Sequence, residues 1–111
     1  MVYYTYFNSF CEFGIDMCET YLVSTNNYIL NKSGPEIIEL ASDFGFIDKE
    51  DSKKLEGIVR LRNRYTHDYY QKKQARDRII NICKNELTTF DMFLEASQDK
   101  IRLFLKRNSE Q

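Results

Sequence analysis

Four stretches of the chain carry hydrophobic residues at helical spacing. The first runs from about residue 3 to 29 and is apolar or aromatic almost throughout up to residue 23. Its acidic residues Glu12, Asp16 and Glu19 recur at i, i+4 and i+7, so they form a single polar stripe. Such a helix has more apolar surface than one partner helix can cover. We therefore expect it to lie at the centre of a bundle or to meet a second subunit.

The breaks between the stretches are marked by residues that begin or end helices. Pro35 suits the first turn of a helix, and Gly45 suits the end of one. Asp48, followed three residues later by another aspartate, is typical of a capped helix start. The fourth stretch has apolar residues at alternating steps of three and four, beginning with Ile80 and Cys83, which is the seam of a left-handed bundle. The predicted helices cover about residues 3–29, 36–44, 49–70 and 75–106.

Composition agrees with this reading. The chain has 111 residues, of which 42% are hydrophobic, with one proline and four glycines to interrupt long elements. This length can bury a core without metals or disulfides. We predict an all-α fold, a small antiparallel bundle of four helices with one of them short, in which residues 1–111 form a single dimerising domain.

Cysteine usage and hydropathy further restrict the class of protein. Cys11, Cys18 and Cys83 fit no metal-ligand spacing, and one histidine does not complete a zinc site with them, so we expect reduced thiols and no metal. No apolar run approaches the ~18 residues that a membrane span needs. The first residues lack the features of a signal peptide. These features predict a cytoplasmic protein that does not enter a membrane.

Charge is distributed unevenly, although the formal net charge is −1. Residues 36–57 carry seven acidic and three basic side chains, whereas residues 60–78 carry seven basic and two acidic ones. A near-neutral chain is not an indiscriminate nucleic-acid binder, but a local basic segment can hold phosphate. The residues that we assign to RNA or phosphate binding are Arg60, Arg64, Lys72 and Lys73.

The same segment contains the only histidine, within the sequence RNRYTHDY of residues 62–69. Arginine binds phosphate as a fixed fork, and histidine exchanges protons near neutral pH. Arg62 takes a place where the pattern of the third helix requires an apolar residue, so it needs an anion, a carboxylate or a wet cleft beside it. His67 lies about 140° around the helix from Arg62. Two copies related by a two-fold axis can bring both side chains to one phosphate, which favours a homodimer.

Each motif residue also has a purely structural explanation. A lone histidine among aromatic residues is more often a packing residue than a catalyst. An arginine in an apolar stripe is often part of a buried ion pair, and Tyr69 can be a core aromatic residue with a solvated hydroxyl. If the chain is only a structural helical bundle with no catalytic or binding function, we expect Arg62→Met to be neutral or stabilising.

Taken together, the motif and its place in a small all-α chain resemble the HEPN superfamily, and within it the HepT toxins of the HEPN/MNT toxin–antitoxin systems. The matching residues are Arg62, Asn63, His67 and Tyr69, and the order of helices agrees over most of residues 3–106. The resemblance implies a homodimeric, metal-independent endoribonuclease with a composite cleft at the dimer interface. It implies that Arg62 stabilises the phosphate, that His67 is general base or acid for attack by the 2′-hydroxyl, and that Asn63 positions the two.

The resemblance also implies a partner. A nucleotidyltransferase antitoxin of the MNT type uses ATP to attach AMP to the motif tyrosine, here Tyr69, whereas the toxin itself needs no cofactor. The added phosphate would neutralise Arg62 and block RNA. An alternative is a non-catalytic HEPN subunit of a nucleotidyltransferase, which binds a nucleotide or a partner near Arg62 and cleaves no RNA.

Overall fold

The computed structural model describes residues 2–67, 72–86 and 99, and within them the chain is helical and has no strand. The predicted all-α fold, with one helix shorter than the others, is confirmed for this part of the chain. The helices are α1 (Val2–Ser24), α2 (Gly34–Asp43), α3 (Lys49–His67) and α4 (Lys72–Asn85).

The first helix ends earlier than the hydrophobic pattern predicted. The Asn26 N–H donates to the Val23 carbonyl at 3.1 Å, and Asn26 has a φ of 61°, so the backbone turns into the left-handed region just after Ser24. Ile29 and Leu30, which extended the apolar pattern, lie in the loop and are 49% and 74% exposed. The prediction of a helix to residue 29 was wrong because apolar loop residues continued the helical spacing.

Capping side chains fix the starts of α2 and α3. The Ser33 hydroxyl accepts from the Glu36 N–H at 3.4 Å, and the Glu36 carboxylate accepts from the Ser33 N–H at 3.2 Å, which is a complete capping box. Hydrogen bonds from the side chain and the backbone of Ser33 to the Glu36 carboxylate lower the pKa of Glu36. The Asp48 carboxylate accepts from the Asp51 N–H at 2.7 Å, as the sequence predicted for the start of α3.

α1 contacts α2, α3 and α4, and α3 likewise contacts each of the other three described helices. Tyr6 and Phe13 on the outer face of α1 remain 48% and 41% exposed. Its buried residues form most of one side of the core: Phe7, Phe10, Cys11, Ile15, Met17, Cys18 and Leu22.

α4 begins three residues before its predicted start and turns a different face to the core. Ile79 and Ile82 are buried, whereas the predicted seam residues Ile80 and Cys83 are half-buried, so the register is shifted by one residue. Glu86 lies in a turn. The predicted continuation of the helix to residue 106 falls outside the described residues.

The described residues also bear on the class of protein. None of their helices is long and apolar enough to cross a membrane. Cys11 and Cys18 are buried free thiols, and Cys83 is a half-buried one. Burial raises the pKa of Cys11 and of Cys18 to about 12, so both remain protonated near neutral pH.

Candidate functional site

The last turns of α3 carry the motif. Arg62 and Asn63 are fully described, and His67 is the final residue of the helix, where only its backbone position is described. Tyr69 lies outside the described residues. The geometry of the site is therefore built from Arg62, Asn63 and the side chains around them.

Arg62 projects from α3 toward α1 and is largely buried, with 14% of its side chain exposed. Its guanidinium forms an ion pair with the Glu12 carboxylate and donates to the Asn63 amide oxygen through Nε at 3.2 Å and Nη2 at 3.1 Å. The sequence predicted that Arg62 needs an anion or a wet cleft, and the anion is a carboxylate of the same chain. Sequence reasoning placed Glu12 in a solvated stripe and missed this contact.

The Glu12–Arg62 pair lies at the edge of the bundle, since 56% of the Glu12 side chain is exposed. Solvent therefore reaches one partner and weakens the attraction. These contacts use three of the five N–H groups of the guanidinium. Arg62 is thus held in one orientation by two neighbours and keeps donors for an external oxyanion.

A second contact ties the start of α1 to the last turn of α3. The Thr66 hydroxyl donates to the Arg62 carbonyl at 3.0 Å, so the Tyr4 hydroxyl, 3.1 Å away, is the donor to Thr66. The Tyr4 ring also packs on the Tyr65 ring with centroids 4.6 Å apart. These contacts fix the backbone immediately before His67.

Cys11 lies close to the ion pair but takes no part in acid–base chemistry. Its thiol hydrogen bonds to the Ile58 carbonyl at 4.0 Å. Desolvation dominates its raised pKa, with Arg62 lowering it and Glu12 raising it. A protonated, buried thiol is a poor nucleophile, so Cys11 is part of the core.

Comparison with known proteins identifies the family of the chain. A family model described as ribonuclease HepT-like matches residues 4–97. The chain belongs to the HepT-like ribonuclease family. The match spans almost all of the four described helices and includes the segment of the motif, and it confirms the predicted resemblance to the HepT proteins. No curated protein and no solved structure matches the chain.

The predicted phosphate-binding residues of this HepT-like chain do not form one cluster. Arg60 is exposed on the outer side of α3 and pairs with Glu56 at 3.6 Å. Arg64 lies on a face that turns toward α4 instead of α1. Lys73 is exposed in the first turn of α4, and the side chain of Lys72 falls outside the described part.

Arg64 lines a groove between α3 and α4 that sequence reasoning missed. The groove has a volume of about 560 Å³, with apolar residues at its base and charged residues on its walls. The basic and apolar residues that line it are Lys53, Lys54, Arg64, Arg78, Ile58, Leu61 and Ile82. The signal in the sequence is that Lys53, Gly57 and Arg64 share one helical face, which only the packing of α4 turns into a groove.

The described residues contain no group of three or more side chains suited to hold a metal ion. The described part of the site offers an oriented guanidinium, the Asn63 amide, and the position of His67 one turn beyond Asn63 on α3.

Proposed function

We propose that this HepT-like chain is a metal-independent endoribonuclease toxin whose active site is formed by two copies of the chain. The observation that carries the proposal is the family match over residues 4–97, together with a guanidinium oriented by Asn63 on the helix that ends at His67. An oriented arginine and histidines that two copies bring to the same phosphate are the groups that phosphodiester cleavage by an internal hydroxyl requires.

In the proposed reaction, His67 of one copy removes the proton from a 2′-hydroxyl of RNA. The 2′-oxygen attacks the adjacent phosphorus, and the bond from phosphorus to the 5′-oxygen breaks. His67 of the second copy donates a proton to the leaving 5′-oxygen, and the products are a 2′,3′-cyclic phosphate and a 5′-hydroxyl. Arg62 stabilises the charge that develops on the non-bridging oxygens. The two imidazoles exchange protonation states in each turnover and need no cofactor.

The proposal includes control by a nucleotidyltransferase antitoxin of the MNT type. That partner transfers AMP from ATP to Tyr69: the phenolic oxygen attacks the α-phosphorus and pyrophosphate leaves. Tyr69 is two residues beyond His67, so the added phosphate and adenosine would occupy the space where RNA binds. The family membership and the position of Tyr69 in the motif support this part of the proposal.

Ribonuclease activity is tested with purified protein, single-stranded RNA and EDTA. Wild type is expected to release fragments that end in 2′,3′-cyclic phosphate. His67→Ala is expected to lower the rate by about a hundredfold or more, with an unchanged circular dichroism spectrum. RNA that stays intact at every protein concentration, or a His67→Ala variant as fast as wild type, contradicts the proposal.

The requirement for two copies is tested by mixing subunits. If both histidines act on one phosphate, subunit exchange in an equal mixture of wild type and His67→Ala leaves about a quarter of all dimers fully wild type, and the activity is about a quarter of that of pure wild type at the same total concentration. If each copy works alone, about half of the activity remains. Size-exclusion chromatography with light scattering gives the oligomeric state directly.

Control by AMP is tested by intact mass after co-expression with a candidate nucleotidyltransferase. A mass increase of one or more adenylates is expected, and Tyr69→Phe should abolish it. Tyr28→Phe is the matched control, because Tyr28 is a partly exposed tyrosine in the loop after α1. A shift that persists in Tyr69→Phe excludes Tyr69 as the acceptor.

One observation favours a second candidate, a non-catalytic nucleotide-binding or partner-binding HEPN subunit. Glu12 already neutralises Arg62, as expected of an arginine whose main role is structural or regulatory. This candidate predicts no RNA cleavage, and binding of AMP or ATP that calorimetry detects and that Arg62→Ala abolishes.

A further inference from the structure

The groove between α3 and α4 is built around a glycine that has no packing role among the described residues. At Gly14 and Gly34 an added Cβ would approach a neighbouring side chain to 3.3 Å and 2.9 Å, and Gly45 has a φ of 84°. At Gly57 an added Cβ would have no described atom within 4 Å. Glycine is less stable than alanine inside a helix, so α3 loses stability here and leaves the base of the groove bare.

The walls of the groove carry exposed basic side chains. Lys53 and Arg64 of α3 and Arg78 of α4 line it, and no ion pair joins any of them to another described residue. Arg78 and Arg64 are also exposed, so their guanidinium groups are open to solvent. Cations on both walls attract an anion that lies along the groove.

The remaining charged residues of the groove do not cancel this attraction. Lys54 also lines the wall and pairs with Glu50 at 3.7 Å. Asp51 and Glu86 are the acidic residues that line the groove. Because Glu50 neutralises Lys54, three further cations face these two carboxylates, and the groove keeps an excess of positive charge in a chain whose formal net charge is −1.

The dimensions of the groove suit a short single strand. Lys53 and Arg64 lie on one side of α3, eleven residues and about 16 Å apart along the axis. At ~3.4 Å per stacked nucleotide this distance covers about five nucleotides. Ile58, Leu61 and Ile82 at the base are buried in the core, so the groove offers a strand mainly the cations of its walls, which face phosphates.

The groove also points toward the motif. It continues into a hollow of about 130 Å³, which shares Leu61, Arg64 and Arg78 with it and reaches Gln74 and Ala75 at the start of α4. The start of α4 follows in sequence the end of α3 that carries His67. A strand in the groove therefore runs toward the proposed cleavage site.

We infer that the α3–α4 groove binds the phosphate backbone of single-stranded RNA and directs it to the His67 end of α3. The site is separate from the Glu12–Arg62 pair, since it lies on the opposite side of α3. The identity of the ligand as RNA rests on the proposed function, whereas the capacity to bind a phosphate anion rests on the groove itself.

The test measures binding, not cleavage. Fluorescence anisotropy of a short single strand of 2′-O-methyl RNA, which lacks the attacking hydroxyl, gives Kd at several salt concentrations. Arg64→Gln/Arg78→Gln is expected to weaken binding about tenfold or more at 0.1 M salt and to reduce the slope of log K against log salt by about 1.4. The matched control is Lys49→Gln/Arg76→Gln, which removes one exposed cation from each of the same two helices outside the groove.

Gly57→Leu separates binding from folding. Leucine favours the helix over glycine, so this variant should melt at a higher temperature, and its side chain should fill the base of the groove and weaken RNA binding. Loss of affinity in a stabilised protein supports the inference. Equal affinity in wild type, Gly57→Leu and the groove double variant overturns it, as does equal loss in the groove and control double variants.

Two further outcomes are distinguishable. If ATP occupies the groove more tightly than RNA and displaces it, the groove is a mononucleotide site and the RNA assignment is wrong. If the strand binds as expected but unmodified RNA is never cleaved, the groove inference stands and the ribonuclease proposal fails.

Discussion

The guanidinium of Arg62 on α3 pairs with the carboxylate of Glu12 on α1, fifty residues earlier in the chain. Asn63 accepts two further N–H groups of the same guanidinium. A residue that the sequence assigns to phosphate binding is therefore neutralised and oriented within its own chain. A phosphate that reaches Arg62 must share the guanidinium with Glu12 or displace it.

Arg62→Met distinguishes a structural pair from a functional one. Because Glu12 is more than half exposed and is rehydrated when Arg62 is removed, we expect the free energy of unfolding to change by about 1 kcal/mol or less. RNA cleavage should fall by about a hundredfold or more, since no cation then faces the phosphate. Urea unfolding and cleavage in EDTA measure the two effects.

Arg76→Met is the control for that variant, because Arg76 is an exposed arginine of α4. It should leave both stability and cleavage unchanged. If the chain is only a structural helical bundle, Arg62→Met should have no effect on RNA cleavage. That result would show that Arg62 is not part of the active site.

Glu12→Gln tests the pair from its other side. Removing the carboxylate leaves a largely buried guanidinium with the Asn63 oxygen as its described acceptor, so we expect a loss of about 1 kcal/mol in stability. The freed charge should tighten the binding of 2′-O-methyl RNA. Glu19→Gln, a matched change on the same helix, should do neither. Weaker RNA binding in Glu12→Gln would indicate that Glu12 is needed to position Arg62.

The hydrogen bond between Tyr4 and Thr66 gives a third prediction. Tyr4→Phe keeps the ring contact with Tyr65 but removes the hydroxyl, and it should cost about 0.5–1 kcal/mol. Thr66→Val removes the same hydrogen bond and also the one to the Arg62 carbonyl, so it should cost more, and the double variant should lose less than the sum of the two because one bond is shared. Additive losses in chemical denaturation would show that the two hydroxyls do not interact.

The sequence predicted the local structure well where a residue acts on its own helix. Pro35, Asp48 and Gly45 marked helix ends because capping depends on near neighbours in the chain. It failed at Ile29 and Leu30, since an exposed apolar loop can continue a helical spacing. The register of α4 was missed because Ile79 and Ile80 fit the pattern equally well, and only packing against α1 and α3 distinguishes them.

The sequence predicted only those features of the candidate site that lie on a single helix. The spacing from Arg62 to His67 and the need of Arg62 for an anion are properties of α3. The identity of that anion, Glu12, depends on the packing of α1 against α3, which the sequence does not encode at any fixed spacing. The groove beside Arg64 depends in the same way on the position of α4.

The buried thiols predict a loss of stability in alkali. Burial raises the pKa of Cys11 and Cys18 to about 12 in the folded state, above the ordinary value of about 9. The folded state then holds protons that the unfolded state releases, so this stability is complete below pH 9 and is lost as the pH rises toward 12. Each thiol should contribute a decline of up to about 1.4 kcal/mol per pH unit in that range.

Urea unfolding at a series of alkaline pH values measures this decline. Cys18→Ala should reduce the slope of stability against pH. This holds whatever loss of stability at pH 7 the cavity left by the substitution causes. Thiol labelling at pH 8 provides an independent check, in which the half-buried Cys83 should react before Cys11 and Cys18. Rapid labelling of Cys11 in the folded protein would contradict its burial.

Two glycine-to-alanine variants should have opposite effects on stability. At Gly57 the new Cβ meets no described atom within 4 Å, so Gly57→Ala should stabilise the protein by up to about 1 kcal/mol through helix propensity alone. At Gly34 the new Cβ would lie 2.9 Å from the Ile15 Cδ1 and 3.3 Å from the Val59 Cγ1, so Gly34→Ala should destabilise by about 1–3 kcal/mol. Thermal and urea unfolding of both variants measure the contrast. If Gly57→Ala is instead destabilised, the glycine has a structural role in the fold. The presence of a glycine at the base of the groove would then be no argument for a bound ligand.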